Sequence, residues 1–429
     1  MLLRKLAVSS LARAARPPLA RRALLLSTQR LRSTGVLEDD DDDAGARHGI
    51  DTAAFLAEHQ IELVGDVDDI DTTPLQDFRD ITRVDDDGAP APLPSAIRTF
   101  FRQKSFAAPT PIQAQALPLA LQGRDVVGIA QTGSGKTLGF LLPMLWSCAE
   151  ASKGEKAAKR EIGAPRGIVL APTRELAQQI EREAAGLAAA FGSRTLCVYG
   201  GQKRHIQERA IWSAGRKLDV VVGTPGRLAD FMRDGVLKLK DVRFLVADEA
   251  DRMLDMGFEP QLREIVDELG DKERRQTLLF SATWPEEVQE LADEFVRDAV
   301  RIHVGGSDEL VANRAIAQHV RVMPSQAAKL DALYALIEEQ KSRLGGDRSR
   351  ERACHTVVFC NRKADAKWLA QQLERDIRGR AVALHGDLMQ NARDHVLGLI
   401  KGGRAQARTA RPRPPRPRPP RHGARRGCR

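Results

Sequence analysis

The run Ala130-Gln131-Thr132-Gly133-Ser134-Gly135-Lys136-Thr137 carries the residue types needed to hold a polyphosphate. Gly133 and Gly135 let backbone N–H groups point at phosphate oxygens with no Cβ in the way. Lys136 can span the outer phosphates, and the Thr137 hydroxyl can hold a Mg2+ ion. An apolar run at 125–129 precedes this loop, and a helix-prone segment at 138–146 follows it. Strand, glycine-rich turn and helix, in that order, aim the positive end of a helix at the same anion. The first position is Ala130, where the strictest form of the pattern has Gly. A second stretch, Phe244-Leu-Val-Ala-Asp-Glu-Ala-Asp251, is an apolar strand that ends in acids. Asp248 can hold Mg2+ through its waters, and Glu249 can orient the water that attacks a terminal phosphate. An Asp-Glu pair alone is an ordinary solvated turn. Delivered by an apolar strand beside a phosphate loop, it completes an ATPase site.

Those residues need a scaffold that puts several strand ends side by side. Short apolar runs predict strands at 125–129, 167–170, 194–199, 218–223, 242–247, 276–280 and 300–304, separated by amphipathic helical segments such as 174–191 and 261–269. Buried strands alternating with helices mean a parallel sheet covered on both faces, so the fold class is α/β. Ligands of such sheets sit beyond the carboxyl ends of the strands, where each of these motifs falls. The expected organisation is a first lobe at 89–304, a linker at 305–313 and a second, partial lobe at 314–403. The second lobe is expected to contain strands at 317–322, 356–360 and 381–384 and helices at 328–340, 362–376 and 390–400. Residues 404–429 are rich in Arg and Pro, contain no Val, Ile, Leu, Phe, Met, Tyr or Trp, and read as a disordered tail.

The net charge of +9 is unevenly spread. Residues 1–37 carry eight Lys or Arg and no acid, interleaved with Leu and Ala, which suits a mitochondrial transit peptide and a matrix location; a plastid or a nuclear and cytoplasmic location is the alternative. Residues 38–88 are acidic throughout and read as a solvated, disordered linker. No apolar stretch is long enough to predict a membrane span. The five cysteines, Cys148, Cys197, Cys354, Cys360 and Cys428, form no C-x-x-C pair, which argues against a disulfide framework or a zinc site.

With the acidic strand end read as Ala247-Asp-Glu-Ala-Asp251, the chain resembles the DEAD-box RNA helicases over about residues 89–403. Other stretches occur in the family's order. Phe106-Ala-Ala-Pro-Thr-Pro-Ile-Gln113 is similar to its Q motif, which implies that Phe106, Thr110 and Gln113 serve the adenine while residues 130–137 serve the phosphates. Pro172-Thr173-Arg174, the pair Gly200-Gly201 and Thr224-Pro225-Gly226-Arg227 are similar to its RNA-backbone motifs. Ser281-Ala-Thr283 resembles the element that links ATP state to RNA binding. In the second lobe Val357-Val-Phe-Cys-Asn361, His385-Gly-Asp387 and Gln390-Asn-Ala-Arg393 resemble further motifs, which implies RNA contacts for Asn361, Gln390 and Arg393. The resemblance implies two RecA-like lobes that ATP-Mg2+ and RNA close together, with Lys136, Thr137, Asp248, Glu249, Ser281 and Thr283 as catalytic and coupling residues. Ribonucleoprotein or ribosome-assembly partners are implied at the level of the family, and the expected grip on RNA is through its backbone, tolerant of sequence and sensitive to salt.

Two departures bear on function. Counting back to the family's adenine-stacking aromatic reaches Gly88, and the nearest aromatic further upstream is Phe78, so weaker adenine selectivity is expected. The family's Ala-Arg-Gly-Leu-Asp-like and His-Arg-x-Gly-Arg-x-x-Arg motifs do not occur in the chain, and His422-Gly-Ala-Arg-Arg426 does not match the latter. Arginine fingers contribute about 10³–10⁵ in rate. The expected function is ATP-dependent unwinding of short RNA duplexes, with a nucleotide-responsive RNA-binding protein of little turnover as the alternative. The abrupt change of composition near Arg404 reads as a frame shift or missed splice site in a GC-rich gene, or else as a natural basic tail.

Overall fold

The structure is a computed structural model, and it describes residues 51–84, 90–104, 106, 108–154, 160–305, 317–343, 356–376, 381–401 and 407–410. The chain divides into two units, Met1–Leu310 and Val311–Arg429. The transit-peptide reading at 1–37 and nearly all of the linker at 305–313 lie outside the described residues.

The first unit is built on an eight-stranded sheet. Its strands are β1 (Ile61–Val64), β4 (Val126–Ile129), β5 (Gly167–Leu170), β6 (Arg194–Val198), β7 (Leu218–Gly223), β8 (Phe244–Asp248), β9 (Gln276–Ser281) and β10 (Val300–Val304). Their spatial order is β1-β10-β4-β9-β8-β5-β7-β6. All neighbours run parallel except β1, which pairs antiparallel with β10. Strands β4, β5, β7 and β8 are buried along their whole length, because helices cover both faces. Two apolar clusters result, one on each face. Phe140, Phe244 and Phe280 anchor the first, and Phe231, Leu245 and Phe295 belong to the second.

The lower edge of the sheet is pinned by a buried carboxylate. Asp125 accepts from the backbone N–H of Thr277 and of Arg297, both at 2.8 Å, tying the start of β4 to β9 and to the entry of β10. Burial pushes its carboxyl up to about 6, with these two hydrogen bonds and the Arg297 and Arg275 charges opposing the rise.

Three sequence expectations are corrected. Residues 51–84 are not a disordered linker: they form the helix Thr52–Glu58, the strand β1, a single 3-10 turn at Phe78–Asp80 and β2 (Thr82–Val84), which pairs with β3 (Pro90–Pro92). The charge run hid a sparse apolar set, Ile61, Leu75, Phe78 and Ile81, all buried in the first cluster. The backbone is anchored as well: Leu75 N–H donates to Ala114, the Gln115 amide to Thr72, and Gln122 both donates to and accepts from the Asp71 backbone.

The second unit holds β11 (Thr356–Phe359), β12 (Ala381–Leu384) and β13 (Ala407–Ala410) in the parallel order β11-β13-β12. Residues 407–410 therefore are not tail: they are the central strand, which an apolar-run criterion misses because backbone pairing on two sides defines it. Residues 317–322, expected as a strand, have no regular secondary structure and no ladder partner among the described residues, and Val320 and Val322 are exposed. Alternation supplies a face for a strand, but only a neighbour supplies its hydrogen bonds. The helices Gln326–Arg343, Lys363–Asp376 and Gln390–Lys401 complete the unit around a small core of Leu369, Ala370, Leu373 and Ala381.

The packing of Phe78 against Phe101 and Phe106, at ring distances of 4.8 and 6.1 Å, makes the acidic segment part of the first lobe. Phe78→Ala is expected to cost about 3–5 kcal/mol in the unfolding transition of the first lobe. An unchanged urea midpoint would return the segment to the status of a linker.

Candidate nucleotide and RNA-backbone site

Strands β4, β9 and β8 lie side by side, and their carboxyl ends carry residues 130–137, Ser281 and Asp248. Gly133 and Gly135 have φ of 83° and 88°, left-handed values that favour glycine. A Cβ on Gly135 would also strike the Gln113 amide 2.6 Å away. Ala130 is buried at the end of β4 and donates its N–H to Ser281 O at 3.1 Å, so a methyl group is tolerated where the loop leaves the sheet. Gln131, Thr132 and Gly133 are exposed at the tip, whereas Ser134, Gly135 and Thr137 are half-buried. Lys136 opens the helix Lys136–Gly154, is buried, and donates from Nζ to Ala130 O at 2.7 Å. The loop thus closes on its own lysine.

Asp248 is buried at the tip of β8. Burial pushes its carboxyl up to about 6; Lys136 and the Glu249 N–H oppose that rise, and the Glu249 and Asp251 charges add to it. Burial also pulls the Lys136 ammonium below its usual range, against the attraction of Asp248, Asp251 and Glu249. Glu249 sits at φ 54°, a strained left-handed position for a non-glycine residue, directly before the helix Ala250–Asp255. Its carboxylate takes a hydrogen bond from Arg252 at 3.2 Å. The next acid, Asp251, accepts from Thr283 Oγ1 at 2.8 Å and donates its N–H to Ser281 Oγ at 3.4 Å. Ser281 and Thr283 are thereby joined to the same acidic turn.

Gln113, which the resemblance assigns to the adenine, is buried and bonded at both ends of its amide. Its Oε1 accepts from Thr110 N–H at 3.0 Å, and its Nε2 donates to Gly135 O at 2.7 Å, so the side chain clamps the helix Pro111–Leu121 to the phosphate loop. Phe78 is buried, and the exposed aromatic four residues before Thr110 is Phe106. Ser134 Oγ, buried in the phosphate loop, has no partner among the described residues, leaving a polar atom for a ligand there.

The other half of the sheet edge is basic. Thr173 caps the helix Arg174–Ala190 by accepting from Leu176 N–H at 3.2 Å, which sets Arg174 at its first position beyond β5 and buried Pro172. Gly201, at φ 87°, leaves room for the Arg174 guanidinium, which a Cβ there would meet. Thr224 and Pro225 are buried, Gly226 is half-buried, and together they open the helix Pro225–Arg233 beyond β7. Arg227 reaches Gln202 O at 3.4 Å and lies over the Phe231 ring. Burial holds Arg227 below its usual range, with Arg204 and Arg174 reinforcing this and Asp230 opposing it. In the second unit Asn361 is exposed just beyond β11, Gln390 opens the helix Gln390–Lys401, and Arg393 is half-buried one turn later.

Residues 110–291 match the family model described as DEAD/DEAH box helicase. Those residues are a DEAD/DEAH box helicase domain. It is 39% identical over 366 residues to "ATP-dependent RNA helicase DBP2" of Scheffersomyces stipitis, across 85% of this chain and 62% of that protein. It is 41% identical over 355 residues to "DEAD-box ATP-dependent RNA helicase 40" of Oryza sativa subsp. japonica, across 82% and 40% respectively. The yeast DEAD-box splicing factor Prp28 superposes with a TM-score of 0.53 at 27% identity, covering 86% of this chain and 78% of that one. The chain thus spans about half the length of the curated relatives it matches.

Within this domain the structure adds residues that no motif singled out for a role. Asp251 bonds both Ser281 and Thr283. Gln207 holds the turn after β6 by accepting from Tyr199 N–H at 2.8 Å and donating to Tyr199 O at 2.9 Å. Asp251 lies inside a quoted motif, while Gln207 sits on a helix and carries no local signal. The described residues hold no cluster of three or more His, Cys, Asp or Glu suited to a metal.

The raised Asp248 pKa gives a signed test. Its carboxylate exists above about pH 6 and is lost below it. Mg2+-dependent ATP affinity is expected to fall about tenfold per pH unit below that point, and Asp248→Asn should flatten the profile. Calorimetric titration across this range, with and without Mg2+, reads both.

Proposed function

We propose that the chain is an ATP-dependent RNA helicase that unwinds short RNA duplexes by gripping the backbone of one strand. The observation that carries this reading is a single sheet edge with two chemistries. Lys136, Asp248 and Glu249 stand at the ends of β4 and β8, and Arg174 and Arg227 stand beyond β5 and β7. The relatives named as ATP-dependent RNA helicases support RNA as the strand that is bound.

ATP is the substrate. The backbone of residues 131–135 and Lys136 would hold its phosphates, and Phe106 and Thr110 would border the base. Thr137 and Asp248 fit Mg2+, since one offers a half-buried hydroxyl at the loop and the other a buried carboxylate that faces a lysine's charge. When bound, that ion supplies charge neutralisation on the phosphates. Glu249 would accept hydrogen bonds from the attacking water and turn it toward the terminal phosphate. Arg252, which bonds Glu249, would hold the carboxylate in place. The Ser281–Asp251–Thr283 hydrogen bonds would pass a change at the acidic turn to β9 and to the segment that follows it. Arg174, Arg227 and the N–H groups near Gly201 and Gly226 would take RNA phosphates without reading bases. Asn361, Gln390 and Arg393 would add contacts from the second unit.

Glu249→Gln is expected to retain ATP and RNA binding while reducing RNA-stimulated hydrolysis by about 10²–10⁴. Stimulation by RNA that survives in this variant would defeat the assignment of Glu249, and an absence of RNA binding in the parent chain would defeat the proposed function. We also propose delivery to mitochondria by residues 1–37, on their acid-free Arg and Leu pattern. A fluorescent protein fused behind these residues should colocalise with the matrix; a plastid or diffuse signal would overturn that.

A further inference from the structure

The helix Arg204–Ala214 begins three residues after Gly201 and turns a buried face inward, formed by Gln207, Ile211 and Ala214. The opposite stripe, His205, Arg209 and Trp212, follows the i, i+4, i+7 spacing of one helical face, and Arg216 lies just past the helix end after Gly215; all four residues are exposed. Trp212 is 51% exposed, whereas Trp146, in the same unit, is 2% exposed. The flanking Lys203 and Lys217 are exposed too, and Glu208 is the helix's single acid. A basic stripe with an open indole in its middle matches a stacked, polyanionic strand: the indole offers a π face to a base while the guanidinium groups meet phosphates.

The stripe is also continuous with the basic strand ends. Arg204 and Arg227 both lie 5.5 Å from the centre of the Phe231 ring, on the helix that follows β7, and Arg204 pairs with Asp234 at the end of that helix. Gln202, just before the stripe, accepts from Arg227. At the far end Arg216 Nε donates to Arg160 O at 2.7 Å, which holds the close of the stripe against the body of the lobe. From His205 to Trp212 the helical part of the stripe runs about 10 Å, the length of about three stacked nucleotides, and Arg216 extends it past the helix end.

We propose that this outer stripe is an accessory track for single-stranded RNA, with Trp212 as its stacking platform and Arg209 and Arg216 as its phosphate contacts, carrying nucleotides that leave the Gly201–Arg227 region. The inference rests on the proposed RNA grip at those loops, and the test separates the two.

Binding of oligouridylates of graded length to the full chain, followed by fluorescence anisotropy, reads the track directly. Affinity should step up as the oligomer grows by about three nucleotides or more beyond the shortest one bound. Trp212→Ala should lower affinity for the longer oligomers by about tenfold and leave the shortest unchanged, and Trp212→Phe should restore most of the step. Arg209→Glu should reduce both the step and its salt dependence. Unchanged short-oligomer binding serves as the folding control. Identical length profiles for the parent chain and Trp212→Ala would overturn the track while leaving the loop grip intact. Failure of the parent chain to bind even the longest oligomer would instead overturn the RNA grip and the track with it. Displacement from the stripe by polyglutamate as effectively as by oligouridylate would assign it to an acidic protein segment and would equally overturn the proposal.

Discussion

Two opposite charges buried at the tip of one sheet, Lys136 and Asp248, set the terms for the rest of the first lobe. Neither charge has the solvent it would choose. Burial drives the Asp248 carboxyl up to about 6 from an ordinary value of 3.8, so its ionised form costs the fold on the order of 3 kcal/mol above that pH. The cost disappears as pH falls and the group protonates, which is the opposite sense from a surface ion pair. Lys136 meets part of its own requirement by bonding Ala130 O inside the loop. A site that has lost water and lacks a full set of partners is matched to a ligand that carries both anionic oxygens and a cation. The strained φ of Glu249 belongs to the same turn. Stability is held elsewhere, in the apolar clusters on the two faces of the sheet and in the Asp125 anchor beneath it.

The strand order explains how one edge can serve two ligands. The nucleotide residues stand on β4, β9 and β8, the contiguous middle of the sheet, and the basic residues stand beyond β5, β7 and β6, the next three strands outward. No strand lies between the two groups, because β8 pairs directly with β5. The acidic turn after β8 therefore adjoins the basic half on one side. On the other side it is bonded to Ser281, at the end of β9, and to Thr283 just beyond it. Any displacement of that turn has a short, hydrogen-bonded route into β9, and β9 is paired with the strand that carries the phosphate loop.

The sequence revealed those parts of the fold that a local pattern determines. Gly167–Leu170 and Leu218–Gly223 appear where apolar runs place them, because strands buried on both faces are apolar almost throughout, and the partly buried Val300–Val304 and Ala381–Leu384 fall where they are expected too. The loop at 130–137 and the acids at 248–249 were legible for the same reason: each follows such a strand immediately. What escaped was decided at a distance. Ile61, Leu75, Phe78 and Ile81 are buried by partners far along the chain, and a reading by local charge saw only the acids between them. Residues 407–410 became a strand through β11 and β12, whereas 317–322 had the right alternation and lack a ladder partner among the described residues.

The acidic segment matters beyond its own folding, because it is mechanically in series with the nucleotide loop. Gln115, Gln122 and the Ala114 carbonyl fasten residues 71–75 to the helix Pro111–Leu121 and its end. That helix carries Gln113, whose amide grips Gly135 at 2.7 Å. Gln113 is buried and joined at both ends, so it cannot move independently of either the Thr110 turn or the loop. Whatever loosens Leu75 or Phe78 from the first cluster loosens the helix that holds the phosphate loop closed. The many aspartates around these anchors keep the outer surface solvated, and the few apolar side chains between them do the holding. An apparently charged leader and the most chemically specific loop of the chain are thus two ends of one connected support.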